Sequence, residues 1–127
     1  MYELKIITRF SAAHQLKDFK GPCENLHGHN WKIEVCVTSE TLDATGLAID
    51  FGILKKHVNG VVDVLDHKFL NDLEPFKHQN PSSENIARYV ADQLALSLED
   101  QAIKVSRVTA WESETACATY YASPRLS

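Results

Sequence analysis

Three histidines in the first quarter of the chain have the type and spacing to hold one metal ion. His27 and His29 flank Gly28, and His14 precedes them by thirteen residues. Residues two apart in a strand point to the same side, so both imidazoles of the pair can reach one ion. Three neutral imidazoles without a fourth protein ligand are typical of an open zinc site, although other divalent ions suit them as well. An H-x-H pair alone is weak evidence for a metal site, and a third histidine, His14, strengthens the prediction.

A cysteine lies close to this pair in the sequence. Cys23 stands in a segment, residues 21–25, whose composition is that of a loop. A nearby cation lowers the pKa of a thiol, so Cys23 could act as a nucleophile or base, or as a fourth zinc ligand. It could equally be an inert thiol. Cys36 and Cys117 fall within predicted strands, where we expect buried and inert side chains, and an odd cysteine count argues against a disulfide framework.

Two further features could have a chemical role, but their patterns are less specific. The pair Asp66-His67 is expected to end the first helix, where it suits either proton transfer near neutral pH or a simple dipole-complementing cap. Glu112 and Glu114 interrupt an apolar C-terminal region. Such a carboxylate could be a solvated turn residue, or could face a pocket and accept two N–H bonds from a guanidine-like ligand edge. The pattern alone does not decide between them.

Two alternating segments are expected to position the histidines. In the first segment, Tyr2, Leu4, Ile6 and Phe10 lie on one side. In the second segment, apolar residues from Trp31 onward alternate with polar ones in the same way. This period of two predicts half-buried strands. The histidines share the parity of the buried residues, namely Phe10 and Ala12 for His14, and Trp31 and Ile33 for the His27–His29 pair. A turn at residues 43–46 suggests that residues 47–49 return as a short strand.

The remaining elements follow from helical and strand patterns. Asp50 is expected to cap a first helix and residues 80–83 a second, each with apolar residues at helical spacing. Two strands, roughly 103–111 and 115–121, follow, and a change of parity in the first predicts a bulge. The order ββααββ predicts a single α+β domain over residues 1–127, with a four-stranded antiparallel sheet and both helices on one face. The open sheet edges favour assembly into an oligomer.

Composition excludes several classes of protein. The chain has 127 residues and a net charge of −4, which argues against a nucleic-acid partner. No apolar run approaches the roughly 18 residues needed to cross a membrane. The N-terminus lacks the features of a signal peptide, so we expect a cytoplasmic protein.

Six motifs in a fixed order resemble the 6-pyruvoyl-tetrahydropterin synthase family, most closely its bacterial 6-carboxy-tetrahydropterin synthase branch. The resemblance runs nearly end to end. The motifs are Phe10-Ser-Ala-Ala-His14, Cys23-Glu-Asn-Leu-His27-Gly-His29-Asn30, Gly46-Leu-Ala-Ile-Asp50-Phe51, Leu65-Asp-His-Lys-Phe-Leu-Asn-Asp72, Asn80-Pro-Ser-Ser-Glu-Asn85 and Trp111-Glu112. The short spacing from Cys23 to His27 is similar to the bacterial branch, whereas animal-like members carry extra residues there.

The resemblance implies a tunnelling fold, in which trimers join their sheets into a barrel and two trimers stack into a hexamer. It implies active sites between subunits, each with one zinc ion on the three histidines. It also implies roles for six further residues. These are Cys23 as general base, Asp66 and His67 as a proton relay, and Glu112 as the anchor of the pterin ring, helped by Ser82 and Ser83.

The substrate that the resemblance implies is 7,8-dihydroneopterin triphosphate. The bacterial branch converts it to 6-carboxy-5,6,7,8-tetrahydropterin with release of acetaldehyde and triphosphate, for queuosine-type deazaguanine synthesis. Animal-like members release triphosphate alone and form 6-pyruvoyl-tetrahydropterin. Glu24 stands where folate-pathway relatives, which form 6-hydroxymethyl-dihydropterin, place a catalytic glutamate, so it is an alternative catalytic residue. No pattern supports Arg9, Lys20 or Lys32 as ligands of the triphosphate.

Two interpretations of other classes stay open. A hydrolase that uses zinc-bound hydroxide would have no need of Cys23. A non-catalytic zinc-binding assembly module would hold the metal and leave the pterin unchanged.

Overall fold

Two long antiparallel strands form one half of the sheet. The computed structural model describes residues 1–17 and 25–122. Strand β1 (Tyr2–His14) pairs with β2 (His27–Ser39) without a break, from Tyr2 opposite Ser39 to His14 opposite His27. The predicted alternation is confirmed, since Ile6 and Phe10 of β1 and Trp31, Ile33 and the two buried valines of β2 all face the core.

Two shorter strands complete the sheet in the order β1-β2-β3-β4. They are β3 (Lys104–Trp111) and β4 (Cys117–Tyr121). The predicted bulge is confirmed: Cys36 lies opposite Arg107 and Val37 opposite Val105, which leaves Ser106 as the extra residue. The Ser106 hydroxyl donates to the carbonyl of Cys36 at 3.0 Å, so the bulge stays hydrogen-bonded.

Both helices pack on the core face of this sheet. Helix α1 (Phe51–Val62) begins at Asp50, whose carboxylate accepts from the backbone N–H groups of Gly52 and Ile53. Helix α2 (Ser83–Ser97) begins at Ser82, whose hydroxyl accepts from Asn85 N–H. Their apolar sides join the buried strand residues in one hydrophobic core. The expected α+β fold class and ββααββ order are therefore confirmed.

Three expectations about individual residues are wrong. Residues 47–49 do not form a strand, because the Asp43 side chain accepts from the N–H groups of Thr45 and Leu47 and folds the chain into a local turn. Helix α1 ends at Val62 rather than at residues 65–68. Cys117 is exposed, whereas Cys36 is buried as expected, and burial raises the pKa of the Cys36 thiol.

The helices of the described ranges are short. None of them combines the length and the apolar character that crossing a membrane requires.

Candidate metal centre and the adjoining groove

The strand register brings the three predicted histidines together. His14 ends β1 directly opposite His27, the first residue of β2, and His29 lies opposite Ala12. The Nε2 atoms of His14 and His27 are 3.1 Å apart. Tetrahedral zinc, with Zn–N bonds of about 2.0–2.1 Å, holds its nitrogen ligands roughly 3.3 Å apart. The two nitrogens therefore already stand at the spacing of two ligands of one ion.

Backbone carbonyl groups set the orientation of two of these rings. His14 Nδ1 lies 2.8 Å from the carbonyl oxygen of Pro81, and His27 Nδ1 lies 2.8 Å from that of Asn25. A carbonyl can only accept, so both Nδ1 atoms carry a proton, and in the neutral rings both Nε2 atoms then present a lone pair. Two lone pairs facing each other at 3.1 Å repel unless a cation lies between them. Such carbonyl contacts are also the usual support of metal-binding histidines.

Glu112 joins the three imidazoles. It directly follows β3, and its Oε1 atom lies 2.8 Å from His29 Nε2, 3.6 Å from His14 Nε2 and 3.9 Å from His27 Nε2. One ligand atom from each of the four residues falls within 4.8 Å of the others. The donor set of three nitrogens and one carboxylate oxygen fits zinc, and it suits other divalent ions that accept nitrogen and oxygen.

An aromatic floor supports the cluster from the core side. Trp31 is fully buried, and its ring meets those of His14 and His29 edge-on, with centroids 5.2 and 5.4 Å apart. Phe10 stacks against Trp31 at 6.0 Å. Because His14 is itself only 1% exposed, its ring is held between this floor and the Pro81 carbonyl.

Two asparagine side chains fix the chain where it leaves β1. The amide of Asn71 accepts from Gln15 N–H at 2.9 Å and donates to the Gln15 carbonyl at 2.8 Å. The amide of Asn80 does the same for Lys17, at 2.8 Å in both directions. These amides supply Gln15 and Lys17 with the backbone partners that a neighbouring strand would otherwise provide.

The segment that contains Asp66 and His67 runs along the outer edge of β1. The N–H of His67 donates to the Ser11 carbonyl at 2.6 Å, and Ala13 N–H donates to the Lys68 carbonyl at 3.0 Å. The dipole-cap interpretation of His67 is wrong, because α1 ends at Val62, five residues earlier. His67 adopts a left-handed backbone with a φ of 58°, which costs a residue other than glycine about 1–3 kcal/mol. Strain of this kind is common at functional positions.

Asp66 holds the imidazole of His67. Asp66 Oδ2 lies 2.9 Å from His67 Nδ1, and Oδ1 accepts the N–H of Ser11 at 2.9 Å. The Ser11 N–H lowers the pKa of the Asp66 carboxyl below its ordinary value; partial desolvation opposes this, and the contact with His67 adds to it. The carboxylate therefore stays ionised and fixes one nitrogen of an otherwise exposed ring.

A groove lies beside the segment that contains His67. It has a volume of about 490 Å³ and is lined by residues of β1 and β2, among them Ser11, Gly28 and Asn30, and by His67 and Lys68. Ser11 and Asn30 have the parity opposite to that of the buried residues, so the groove lies on the other side of the sheet from the three imidazole rings. A ligand in this groove would contact His67.

The lowered pKa of Asp66 predicts how stability depends on pH. A carboxyl group whose pKa is depressed by folding stabilises the protein above its unfolded value of about 3.9 and loses that contribution as the pH falls through the folded value. Asp66→Asn should therefore unfold at a lower temperature than the wild type at pH 7, and the gap should begin to narrow as the pH falls below about 4. Thermal melts from pH 7 to pH 3 measure this gap. Asp100→Asn, at an exposed turn, is the control, and a gap for Asp66→Asn that is as large at pH 3 as at pH 7 contradicts the prediction.

Not every predicted site residue joins the cluster. Ser82 uses its hydroxyl to cap α2, and Ser83 begins that helix, one and two residues after the carbonyl that orients His14. Cys23, Glu24 and Lys20 lie outside the described residues. The approach of Glu112 to the imidazoles and the carbonyls of Pro81 and Asn25 were not predicted. The Glu112 and Pro81 contacts join distant parts of the chain, whereas Asn25 lies only two residues from His27.

The sheet, the helix pair and the cluster of three histidines and one glutamate define a class, the tunnelling-fold proteins. Within that class the chain belongs to the 6-pyruvoyl tetrahydropterin synthase family, whose sequence profile matches residues 3–123. These relationships support a pterin-processing lyase activity.

Individual relatives carry different names. A 6-carboxy-5,6,7,8-tetrahydropterin synthase from Synechocystis is 38% identical over 124 residues, which covers 93% of this chain and 91% of the relative. A dihydroneopterin monophosphate aldolase from Pyrococcus furiosus is 39% identical over 103 residues, with 81% and 82% coverage.

Solved structures agree on the fold. The 6-pyruvoyl tetrahydropterin synthase of Caenorhabditis elegans superposes with a TM-score of 0.85 at 30% identity, covering 96% of both chains. The Plasmodium vivax 6-pyruvoyltetrahydropterin synthase, as a mutant with alanine replacing a glutamate described as a catalytic residue, has a TM-score of 0.75 at 28% identity, with 94% of this chain and 96% of the other covered.

Proposed function

We propose that this protein is a zinc-dependent lyase that converts 7,8-dihydroneopterin triphosphate to 6-carboxy-5,6,7,8-tetrahydropterin, with release of acetaldehyde and triphosphate. The observation that carries the proposal is the convergence of three imidazoles and Glu112, with two of the imidazoles bonded through Nδ1 to backbone carbonyls, which suits metal binding through Nε2. The 38% identity to a 6-carboxy-5,6,7,8-tetrahydropterin synthase supports this choice of product, and hence a role in deazaguanine synthesis.

The metal would be held by His14, His27 and His29. When bound, zinc lowers the pKa of coordinated hydroxyl groups, so that a proton can be removed from the substrate side chain near neutral pH. The Pro81 and Asn25 carbonyls would keep the rings of His14 and His27 in the ligating tautomer, and Trp31 packs edge-on against the rings of His14 and His29.

Cys23 and His67 would move the protons. Cys23 precedes His27 by four residues in the sequence. A thiol near a metal cation has a lowered pKa and can act as a base. Asp66 fixes Nδ1 of His67, which leaves Nε2 of that ring to exchange a proton with a ligand in the groove.

Glu112 would bind the pterin ring rather than the metal. A fourth protein ligand closes a tetrahedral site, whereas catalytic sites keep one position for water or substrate. A carboxylate can accept two parallel N–H bonds from the pyrimidine edge of a pterin. Glu112 Oε1 lies 2.8 Å from His29 Nε2, which supports binding of that edge beside the metal centre. The backbone of Ser82 and Ser83 offers further candidate contacts.

Assembly would complete the site. Strands β1 and β4 are the edges of the sheet, and residues 66–69 cover β1 only at its end, beside residues 11–13. The remaining edge groups of β1 and those of β4 are available to pair with other copies. We propose that trimers form by this pairing and stack as hexamers, so that active sites lie between subunits.

A second activity has specific support. The relative from Pyrococcus furiosus is named a dihydroneopterin monophosphate aldolase, and the Plasmodium vivax structure is that of a mutant at a glutamate described as a catalytic residue. Glu24, adjacent to Cys23, could take that part here and cleave the side chain to 6-hydroxymethyl-dihydropterin. The pyruvoyl product is the third outcome to distinguish.

Mass spectrometry of the products formed from 7,8-dihydroneopterin triphosphate tests the proposal. We expect the mass of 6-carboxy-5,6,7,8-tetrahydropterin together with one equivalent of acetaldehyde, and none after chelation of the metal. The pyruvoyl or hydroxymethyl product as the main species would contradict the proposed reaction while leaving a pterin lyase. An unchanged substrate in the presence of bound zinc would favour the non-catalytic module.

A further inference from the structure

Two cations face each other on the side of the sheet opposite the core. Arg9 of β1 lies directly opposite Lys32 of β2 in the antiparallel register. Arg9 is exposed, and Lys32 is partly buried. Like charges directly opposite each other in a sheet repel, so the pair makes an unfavourable contribution to stability unless an anion lies nearby.

The acidic group nearest to the pair in the register is already engaged. Glu34, the one carboxylate in β2, lies 3.5 Å from both Lys5 and Lys32 and accepts the indole N–H of Trp111 at 3.2 Å. Lys32 also lies over the Trp111 ring, 4.7 Å from its centroid. Lys32 is thus drawn toward β3, whereas no carboxylate of the described residues forms an ion pair with Arg9.

The pair adjoins the groove. Ser11 and Asn30, which line it, form the next cross-strand pair on the same side of the sheet, about 7 Å along the strands. Lys68 lines the same groove. Three basic side chains therefore lie beside one groove in a chain whose net charge is −4.

We propose that Arg9 and Lys32 form an anion subsite that holds a polyphosphate at the end of this groove, with Lys68 as a third contact. Arginine offers a planar fork for two phosphate oxygens, and lysine adds a point charge. Several cations favour a chain of phosphates over a single one, so the subsite selects a triphosphate substrate over a monophosphate. That the polyphosphate belongs to a pterin rests on the proposed function; the subsite itself does not.

Calorimetric titration of the purified enzyme with inorganic tripolyphosphate and with orthophosphate tests the subsite directly. Wild-type protein should bind tripolyphosphate more tightly than orthophosphate. Arg9→Gln and Lys32→Gln should each weaken tripolyphosphate binding about tenfold or more. Lys104→Gln, which removes the same charge at the other end of the sheet, is the matched control and should bind as the wild type does. Equal binding by all four proteins would overturn the proposal.

Fold damage can be separated from loss of the subsite. Arg9→Gln removes a like-charge contact and no ion pair with a described residue, so it should unfold at the wild-type temperature or above it. Lys32→Gln also removes the ion pair with Glu34, so Arg9→Gln is the variant that separates the two effects. An Arg9→Gln variant that loses tripolyphosphate binding and also unfolds at a clearly lower temperature would contradict the proposal.

Turnover separates the subsite from the proposed function. If the pterin triphosphate is the substrate, Arg9→Gln should lower kcat/KM about tenfold for 7,8-dihydroneopterin triphosphate and far less for the monophosphate. Equal losses for both would contradict selection by phosphate number. Arg9-dependent binding of tripolyphosphate without any turnover would retain the subsite and reject the proposed reaction.

Discussion

Replacing His27 by alanine is expected to remove the bound metal ion and the catalytic activity together. His27 contributes one of three imidazoles, and two nitrogens hold a divalent ion poorly. Loss of an outer-sphere partner alone commonly costs about 10–100-fold in metal affinity, so loss of a ligand should exceed about 100-fold. Elemental analysis of the purified variant and its turnover of 7,8-dihydroneopterin triphosphate measure the two effects.

The control for this experiment is a histidine outside the cluster. His57 of α1 bonds to the hydroxyl of Ser97, far along the chain from the strand ends that carry the three ligands. His57→Ala should retain the metal and the activity. Full metal occupancy in His27→Ala would refute the ligand assignment, whatever its activity.

Replacing Cys23 by alanine should lower the acetaldehyde-releasing reaction by about 100-fold to 10,000-fold, because a positioned acid or base contributes an effect of that order. Glu24→Ala should leave this reaction largely intact. Acetaldehyde and pterin products, quantified for both variants, provide the measurement. Cys117→Ala removes an exposed thiol at the start of β4 and should behave as the wild type.

The alternative outcomes identify the competing reactions. Full turnover in Cys23→Ala would favour a zinc-hydroxide hydrolase, which has no need of a thiol. Loss of all turnover in Glu24→Ala would favour the aldolase-type cleavage, with the glutamate as the catalytic group. Metal content should be unchanged in both variants, which separates them from His27→Ala.

Patterns within single elements predicted the strands and helices. The alternation in β1 and β2 gave the correct buried side, and the change of parity between Val105 and Val108 gave the bulge at Ser106. Asp50 and Ser82 were recognisable as caps because a cap bonds to N–H groups two or three residues away. The same parity places the three histidines on one side, so their meeting could be predicted from the sequence.

Such patterns do not predict contacts between distant segments of the chain. Residues 63–67 leave the helical path, and His67 N–H bonds to Ser11, more than 50 residues earlier in the chain. Glu112 reaches the imidazoles because of the β2–β3 register, and Pro81 reaches His14 from the start of α2. No local spacing encodes these distances, and the resemblance to a family supplied roles for Asp66, His67 and Glu112 without their geometry.

The two asparagine amides that hold residues 15–17 have a consequence for how this family can diverge. On the other side of residues 18–24, the Asn25 carbonyl bonds to His27. Both ends of the connection are thus fixed by contacts that do not depend on its length. Doubling the length of such a connection costs only about 0.6 kcal/mol. Insertions next to the cysteine can therefore accumulate while the metal ligands stay in register, which gives evolution a place to alter the reaction without rebuilding the metal centre.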